Sequence, residues 1–294
     1  MNPRYPVFVI SKGRAATCLT ARVLTAMQVP FYLVVEPQEA ADYRSRWPFA
    51  VVVETPFSNL GMGSIPVRNY VWDLAAGNNF PRSERYWIID DNIEGFHRLH
   101  ENEKHQVMDG TIFRCCEDFV DRYTNVPMAG MNYYSFCKKT AKVPPFYLNT
   151  RVYSCILLET SMSDRWRGRY NEDTDLSLRF LKQGFCTVLF NAFLCGKVTT
   201  MRMKGGNTDN VYTDNDNRRE FAESLARQHP DVAKVVFKFN RWHHQVDYRP
   251  FKGNRLIYKD GVTVSPIVNN YGMRLVDKST VESLQASRGA HSDV

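Results

Sequence analysis

The first 90 residues alternate short apolar runs with segments of helical periodicity, and this alternation restricts the fold more than any other feature. The apolar runs fall at residues 7–10, 31–35, 50–53 and 86–89. Between the last two, Val67, Val71 and Leu74 recur at the spacing of a helix with one buried face. Because parallel neighbouring strands require crossover connections, the pattern predicts an α/β fold with a largely parallel sheet and helices on both faces.

Polar residues follow each predicted strand, where ligands of such sheets bind. Asp90, Asp91 and Asn92 come directly after the strand at 86–89. Carboxylate and amide oxygens suit Mg²⁺ or Mn²⁺, which bind through one or two carboxylates together with the phosphates of a substrate. The alternative is a polar turn that closes a buried strand.

A second acidic group stands at the start of a predicted helix over 171–181, with Asn171 as its N-cap. Glu172, Asp173 and Asp175 either complement the helix dipole or place one carboxylate in a pocket as a general base. Arg14 and Arg68 either hold a diphosphate through charge-assisted hydrogen bonds or are ordinary surface arginines.

Several function classes lose support from missing motifs. The seven cysteines contain no C-x-x-C pair, so no zinc ribbon is indicated. The chain has neither a phosphate-binding P-loop motif nor a complete dinucleotide fingerprint. No apolar run approaches the ~18 residues of a membrane span. We therefore expect a soluble, cytoplasmic protein without membrane partners.

The net charge of +7 is unevenly distributed. Residues 138–169 hold seven basic side chains against two acidic ones, a net of +5. The C-terminal third interleaves basic residues with aromatic ones, including Trp242 and His243. Such surfaces neutralise phosphates and stack on bases, which predicts a nucleic-acid partner. The alternative is a solvated basic face above aromatic core residues.

The acidic motifs resemble those of nucleotide-sugar glycosyltransferases of the GT-A fold. The matching segments are residues 86–92, 171–181 and the arginine-asparagine segment at 63–69. A narrower resemblance, carried by residues 171–181, 203–207 and 242–251, is to the TET/JBP-associated glycosyltransferases of phages, which put sugars on 5-hydroxymethylated pyrimidines in DNA. Asn92 stands where the D-x-D pattern of the superfamily has an aspartate, which implies metal ligation that is either weaker or carried by Asp91.

The resemblance implies a Rossmann-type mixed sheet flanked by helices, with a catalytic domain at 1–205 and a C-terminal extension at 206–294. The donor-binding half would be 1–92 and the acceptor half 93–205, with the extension packed on the catalytic domain for acceptor recognition. The implied reaction is metal-dependent, inverting transfer of a hexose, glucose from UDP-glucose, onto 5-hydroxymethylcytosine in DNA. Two alternatives stay open, namely a nucleotidyltransferase of similar fold and a catalytically inactive DNA-binding module. A phage-encoded protein would act in the host cytoplasm.

The resemblance also implies roles for individual residues. Asp173 would be the catalytic base and Glu172 would orient it or bind the sugar. Mn²⁺ or Mg²⁺ would be held by Asp91 and Asn92. The nucleotide-sugar would be bound by Ser11, Arg14, Glu36, Arg68, Asp90 and Lys204. The DNA would be contacted by Lys138, Lys139, Lys142, Arg165, Arg167, Arg169, Trp242 and His243.

Overall fold

The computed structural model describes residues 1–78, 80–140, 142–198 and 217–263. The first 90 residues alternate strand and helix as predicted. The elements are β1 (Val7–Ile10), α1 (Leu19–Ala26), β2 (Tyr32–Val35), α2 (Ala40–Arg46), β3 (Val51–Glu54), α3 (Ile65–Ala75) and β4 (Arg85–Asp90). Their positions agree with the periodicity of the sequence: β1, β2 and β4 are largely buried, whereas β3, at the edge of the sheet, is partly exposed.

The second half holds more strands than its sequence pattern indicated. Its elements are β5 (Ile93–His100), β6 (Glu103–Gln106), α4 (Thr111–Val120), β7 (Met128–Tyr133), β8 (Phe146–Leu148), β9 (Cys155–Glu159), α5 (Glu172–Lys182), β10 (Thr187–Lys197), α6 (Arg218–Gln228), β11 (Ala233–Lys238) and β12 (Arg241–Val246). The apolar sequence pattern at 186–190 indicates a short strand, but β10 continues to Lys197.

Within the described residues, one ten-stranded sheet has the order β3-β2-β1-β4-β9-β7-β10-β5-β6, with β8 also paired to β10. Strands β1 to β4 are parallel, and so is the pair of β7 and β10. The remaining pairs are antiparallel. The expectation of a largely parallel sheet is therefore wrong for the second half, while the mixed α/β class is confirmed. The strand β9 stands between β4 and β7 in the sheet and is antiparallel to both.

Apolar side chains cover both faces of this sheet. One layer packs around Trp87, Phe113 and Leu33, and the other around Ile88, Trp72 and Phe180. Burying β4 on both faces fixes its end, because a strand with large side chains on each side has little freedom to shift register. Asp90 and Asp91 are thereby delivered to a defined position at the carboxyl end of the strand.

Residues 1–257 form one compact unit, and residues 258–294 are a separate unit of which 258–263 are described. The expected boundary at 205/206 lies outside the described residues and stays a prediction. Strands β11 and β12 form a separate two-stranded sheet, against which α6 packs. None of the helices in the described ranges has the length and apolar character needed to cross a membrane.

Candidate functional site

The carboxyl ends of β1 and β4 lie side by side, and they bring Ser11, Arg14 and Asp91 together. Ser11 Oγ donates to Asp91 Oδ2 at 2.7 Å, and Arg14 Nη1 lies 2.6 Å from Asp91 Oδ1. The hydroxyl of Tyr43 from α2 lies 2.6 Å from Ser11 Oγ and accepts from the Arg14 backbone N–H. Burial raises the pKa of Asp91, although Arg14 and Ser11 oppose the shift.

Asp90 is held between two cations. Arg68 Nη2 donates to Asp90 Oδ1 at 2.9 Å, and Lys197 Nζ donates to Asp90 Oδ2 at 2.8 Å. Lys197 also donates to Ser154 Oγ at 2.6 Å. Burial alone would raise the pKa of Asp90, but the charges of Lys197 and Arg68 hold this pKa well below its usual range. Asp90 is therefore ionised at neutral pH.

Arg68 connects this acidic motif to the second one. Its Nε lies 3.5 Å from Glu172 Oε1, and Ser64 Oγ donates to the same oxygen at 2.9 Å. The guanidinium also lies 4.8 Å from the ring centroid of Trp166. Its Nη1 is buried and has no hydrogen-bond partner among the described residues. Since buried donors are normally satisfied, this group indicates a place for a ligand oxygen.

The two carboxylates at the start of α5 have different surroundings. Burial raises the pKa of Glu172, and the charge of Asp173 raises it further while that of Arg68 opposes it. Asp173 Oδ1 accepts from the Thr174 backbone N–H at 2.7 Å. Over the described part of the chain, no donor reaches Asp173 Oδ2. Asp173, half-buried and paired with no cation there, is the available base of the two.

Asp175, the third acid of this helix, anchors the structure. Its carboxylate accepts from Arg167 and Arg179 and lies 2.8 Å from His229 Nε2. Burial opposes ionisation, but the hydrogen bonds from His229 and Arg167 lower the pKa of Asp175 to about 2. This network ties α5 to the segment after α6 and so holds the first turn of α5 in place.

The predicted capping of α5 by Asn171 is wrong in its mechanism. Asn171 precedes α5 with φ of 56° and makes no side-chain cap; its side-chain amide donates to Phe221 O instead. Ser64 precedes α3, yet its hydroxyl donates to Glu172. Both side chains are used for tertiary contacts across the site, which propensity alone does not reveal.

Glu36 lies at the end of β2 and faces the outer part of the site. Lys12 Nζ donates to both of its oxygens, at 2.7 and 2.8 Å, and the Asn59 backbone N–H donates at 3.0 Å. Burial opposes ionisation, but the hydrogen bond from Lys12 helps to lower the pKa of Glu36. Lys204, the remaining predicted donor contact, lies outside the described residues.

The side chains predicted to contact DNA are found in three places. Lys138, Lys139 and Lys142 are exposed after β7, and Lys139 pairs with Glu103. Before α5, the exposed basic chains make intramolecular contacts: Arg165 with Asp73, Arg167 with Asp175 and Arg169 with the ring of Tyr170. Trp242 and His243 lie on β12. Contact with DNA stays a prediction for all eight.

A divalent cation has a partial ligand set at this site. The buried Oδ1 of Asn92 has no hydrogen-bond partner among the described residues, and Asp91 is its chain neighbour. No cluster of three His, Cys, Asp or Glu side chains suited to a metal occurs in the described ranges. That set fits an ion that takes most of its ligands from water and substrate phosphates, as Mg²⁺ does. The metal requirement stays a prediction.

Sequence reasoning missed Lys197, Ser154 and Tyr133. Tyr133 lies at the end of β7, and its hydroxyl is 2.6 Å from Ser154 Oγ. Lys197 ends β10, which the sequence pattern stopped at residue 190. The one available signal was a lysine after the apolar run 194–196. Burial opposes the charge of Lys197, but Asp90 raises its pKa well above the usual value.

Comparisons with known proteins complete the description. No curated protein matches the chain. Among solved structures, a mannose-6-phosphate isomerase from Helicobacter pylori aligns with 7% identity and a TM-score of 0.28, covering 87% of this chain and 94% of that one. So distant a likeness has no bearing on fold or function. Residues 5–206, which contain β1 to β10 and both acidic motifs, match the family described as TET-Associated Glycosyltransferase. The carboxylates joined through Arg68 thus lie within the matched region, and the chain belongs to the TET-associated glycosyltransferase family.

Proposed function

We propose that this chain, a member of a family of glycosyltransferases that act in DNA modification, moves glucose from UDP-glucose onto the hydroxymethyl group of 5-hydroxymethylcytosine in DNA. The transfer would proceed with inversion and with a divalent cation. The observation that carries the proposal is the junction made by Arg68. This side chain contacts Asp90 and Glu172, 82 positions apart in the sequence, and joins a donor-type motif to a base-type motif.

Three cations at the carboxyl ends of the strands support binding of a diphosphate. Arg14, Arg68 and Lys197 are each largely buried. The guanidinium Nη1 of Arg68 offers a free donor to a phosphate oxygen. Ser11 and Glu36, which follow β1 and β2, fit the nucleoside part of the donor because they lie at the same edge of the sheet.

The charge balance supports a metal. Among the described residues, four carboxylates (Asp90, Asp91, Glu172, Asp173) face three cations (Arg14, Arg68, Lys197). A diphosphate therefore enters a site with no surplus positive charge and needs a further cation. Asp91 and Asn92 would hold that ion, which would stabilise the charge that develops on the leaving diphosphate.

Asp173 would remove the proton from the acceptor hydroxyl. Its Oδ1 is fixed by the Thr174 N–H, while Oδ2 has no hydrogen-bond donor among the described residues. Glu172, held by Ser64 and Arg68, would fix a sugar hydroxyl beside it. With Asp173 as the base, the hydroxyl would displace the diphosphate directly from the opposite face of the sugar, which inverts the anomeric centre.

A cytosine inside a duplex cannot reach such a site, so the acceptor nucleotide would flip out of the stack. The exposed lysines Lys138, Lys139 and Lys142 would then contact phosphates on either side of it. These contacts position the DNA and carry no sequence information.

The test is intact-mass analysis of DNA after incubation with the enzyme, Mn²⁺ or Mg²⁺, and each of a panel of UDP-sugars. One DNA contains 5-hydroxymethylcytosine and a matched one contains cytosine. We expect a mass gain of one hexose per modified base with UDP-glucose, and none on the cytosine control. A gain with another nucleotide-sugar would correct the donor. The absence of any gain on the modified DNA would refute this acceptor.

A further inference from the structure

The hairpin of β11 and β12 ends in an unusual turn. Lys238 pairs with Arg241, so Phe239 and Asn240 are the two turn residues. Both have positive φ, 52° and 57°, as a type I′ turn requires. Asn suits this conformation, whereas a bulky side chain there is rare. Phe239 is 88% exposed, and its edge contact with the His243 ring, at 6.4 Å between centroids, leaves most of the phenylalanine ring in solvent at the tip.

One face of the hairpin is basic. Side chains alternate between the faces of a strand, so the register places four basic side chains on the same side: Lys234, Lys238, Arg241 and His243. The opposite face is largely apolar, and α6 packs against the hairpin. Residues 233–246 contain no Asp or Glu. A narrow ribbon with cationic side chains and an aromatic tip complements the charge and the stacked bases of DNA.

The root of the hairpin lies beside the candidate site. His244 Nε2 is 3.4 Å from Arg151 Nη1, and Arg151 lies over the ring of Tyr153. Val152, the residue that follows Arg151, donates its backbone N–H to Ser177 Oγ at 3.2 Å, and Ser177 Oγ donates to the backbone carbonyl of Asp173 at 2.8 Å, so the root of the hairpin is two contacts from Asp173. From Val246 to Arg241, β12 extends about 17 Å at ~3.4 Å per residue. That reach exceeds the ~8.5 Å depth of a DNA groove.

We infer that this hairpin opens the acceptor duplex and that Phe239 fills the position of the flipped nucleotide. The ring stacks between the flanking base pairs, while Lys238 and Arg241 hold phosphates on either side. The flipped base then lies at the root of the hairpin, next to Asp173. The inference rests on the proposed DNA acceptor and adds the element that extracts the base. Apolar wedges serve this purpose in proteins that unstack DNA.

The first test measures base unstacking without any transfer. A duplex containing 5-hydroxymethylcytosine carries 2-aminopurine next to the modified base, and no nucleotide-sugar is added. We expect saturating wild-type protein and Phe239→Tyr to raise the fluorescence, and Phe239→Ala to lose most of the rise. Phe49→Ala, which removes another exposed phenylalanine far along the chain, serves as the control and should behave as wild type. No rise with the wild type, or an equal rise with Phe239→Ala, would overturn the inference.

The second test compares duplex with single-stranded acceptor. Stacking of an aromatic ring on a base is worth enough that Phe239→Ala should lower kcat/KM on duplex DNA about 5- to 100-fold. On single-stranded DNA, which needs no opening, the change should stay within about twofold. Equal losses on both substrates would contradict a wedge. If the mass analysis finds no sugar on any DNA, the proposed acceptor fails, while the fluorescence result still decides the role of the hairpin.

Discussion

Replacement of Asp173 by Asn isolates the proposed base from the rest of the site. The carboxylate keeps one oxygen on the Thr174 backbone N–H at 2.7 Å, and an asparagine Oδ1 accepts the same hydrogen bond. Over the described residues, the other oxygen has no donor to lose. The substitution therefore removes a negative charge and a proton acceptor while it preserves the position of the side chain.

The expected magnitudes differ for stability and for rate. Loss of an acid in the first turn of α5 removes a favourable dipole interaction of about 0.3–1 kcal/mol. Loss of a general base lowers the rate about 10²- to 10⁴-fold, which is about 3–5 kcal/mol in activation free energy. Asp173→Asn should therefore fold normally and bind donor normally, yet transfer the sugar at least about a hundred times more slowly.

The assay is single-turnover transfer to 5-hydroxymethylcytosine DNA, with donor affinity measured by titration calorimetry on the same preparations. Glu172→Gln is the matched neighbouring substitution. It should weaken sugar binding and lower the rate of the chemical step less than Asp173→Asn does. Turnover by Asp173→Asn within a few-fold of wild type would refute the assignment of the base. If Asp173→Asn lowers only the affinity for the donor, the role of Asp173 is sugar binding and not proton transfer.

Four further perturbations test other parts of the structure. Asp175→Asn removes the partner of three side chains around a carboxylate that is 1% exposed, so urea unfolding should show a loss of about 3 kcal/mol, and a loss below about 1 kcal/mol would contradict an anchoring role. Burial raises the pKa of Glu117 from 4.5 to about 7, so this residue favours the folded state below pH 4.5 and its contribution declines by about 3 kcal/mol as the pH rises to 7. Glu117→Gln should remove that decline from the pH dependence of the unfolding free energy, and an unchanged pH profile would refute it. Lys197→Met leaves Asp90 with the charge of Arg68 alone and should raise KM for the donor about 10- to 100-fold, whereas an unchanged KM would exclude contact with the diphosphate. Removal of divalent ions by EDTA should stop transfer and added Mn²⁺ or Mg²⁺ should restore it, and full activity in EDTA would show that the ion is not needed.

Local patterning determined much of the fold. The apolar run at Val7–Ile10 is a strand with the predicted ends, and the helix predicted from Val67, Val71 and Leu74 is α3. These segments bury one face or both, so their apolar residues recur with the period of the secondary structure. The hairpin of β11 and β12 was missed because its strands mix basic, aromatic and apolar residues and are only partly buried.

The acidic side chains themselves followed from the sequence, because an apolar strand ending in Asp90 and Asp91 delivers carboxylates to a sheet edge. Their partners did not follow. Lys197 reaches Asp90 only because β10 runs on for eleven residues and pairs with β7 and β5. Arg68 reaches Glu172 because α3 and α5 pack on the same side of the sheet.

Sequence by itself thus determined the class of the fold and which residues carry charge and chemistry, since strand and helix periods are local properties. Tertiary structure decided how those charges combine. Of the carboxylates at the candidate site, it left Asp173 without a cationic partner in the described chain. It also committed Asp175 to three partners and set Phe239 at the exposed tip of a basic hairpin. The physical reason is that ion pairs and exposure depend on contacts between residues far apart in the chain, and these form only when the sheet has assembled.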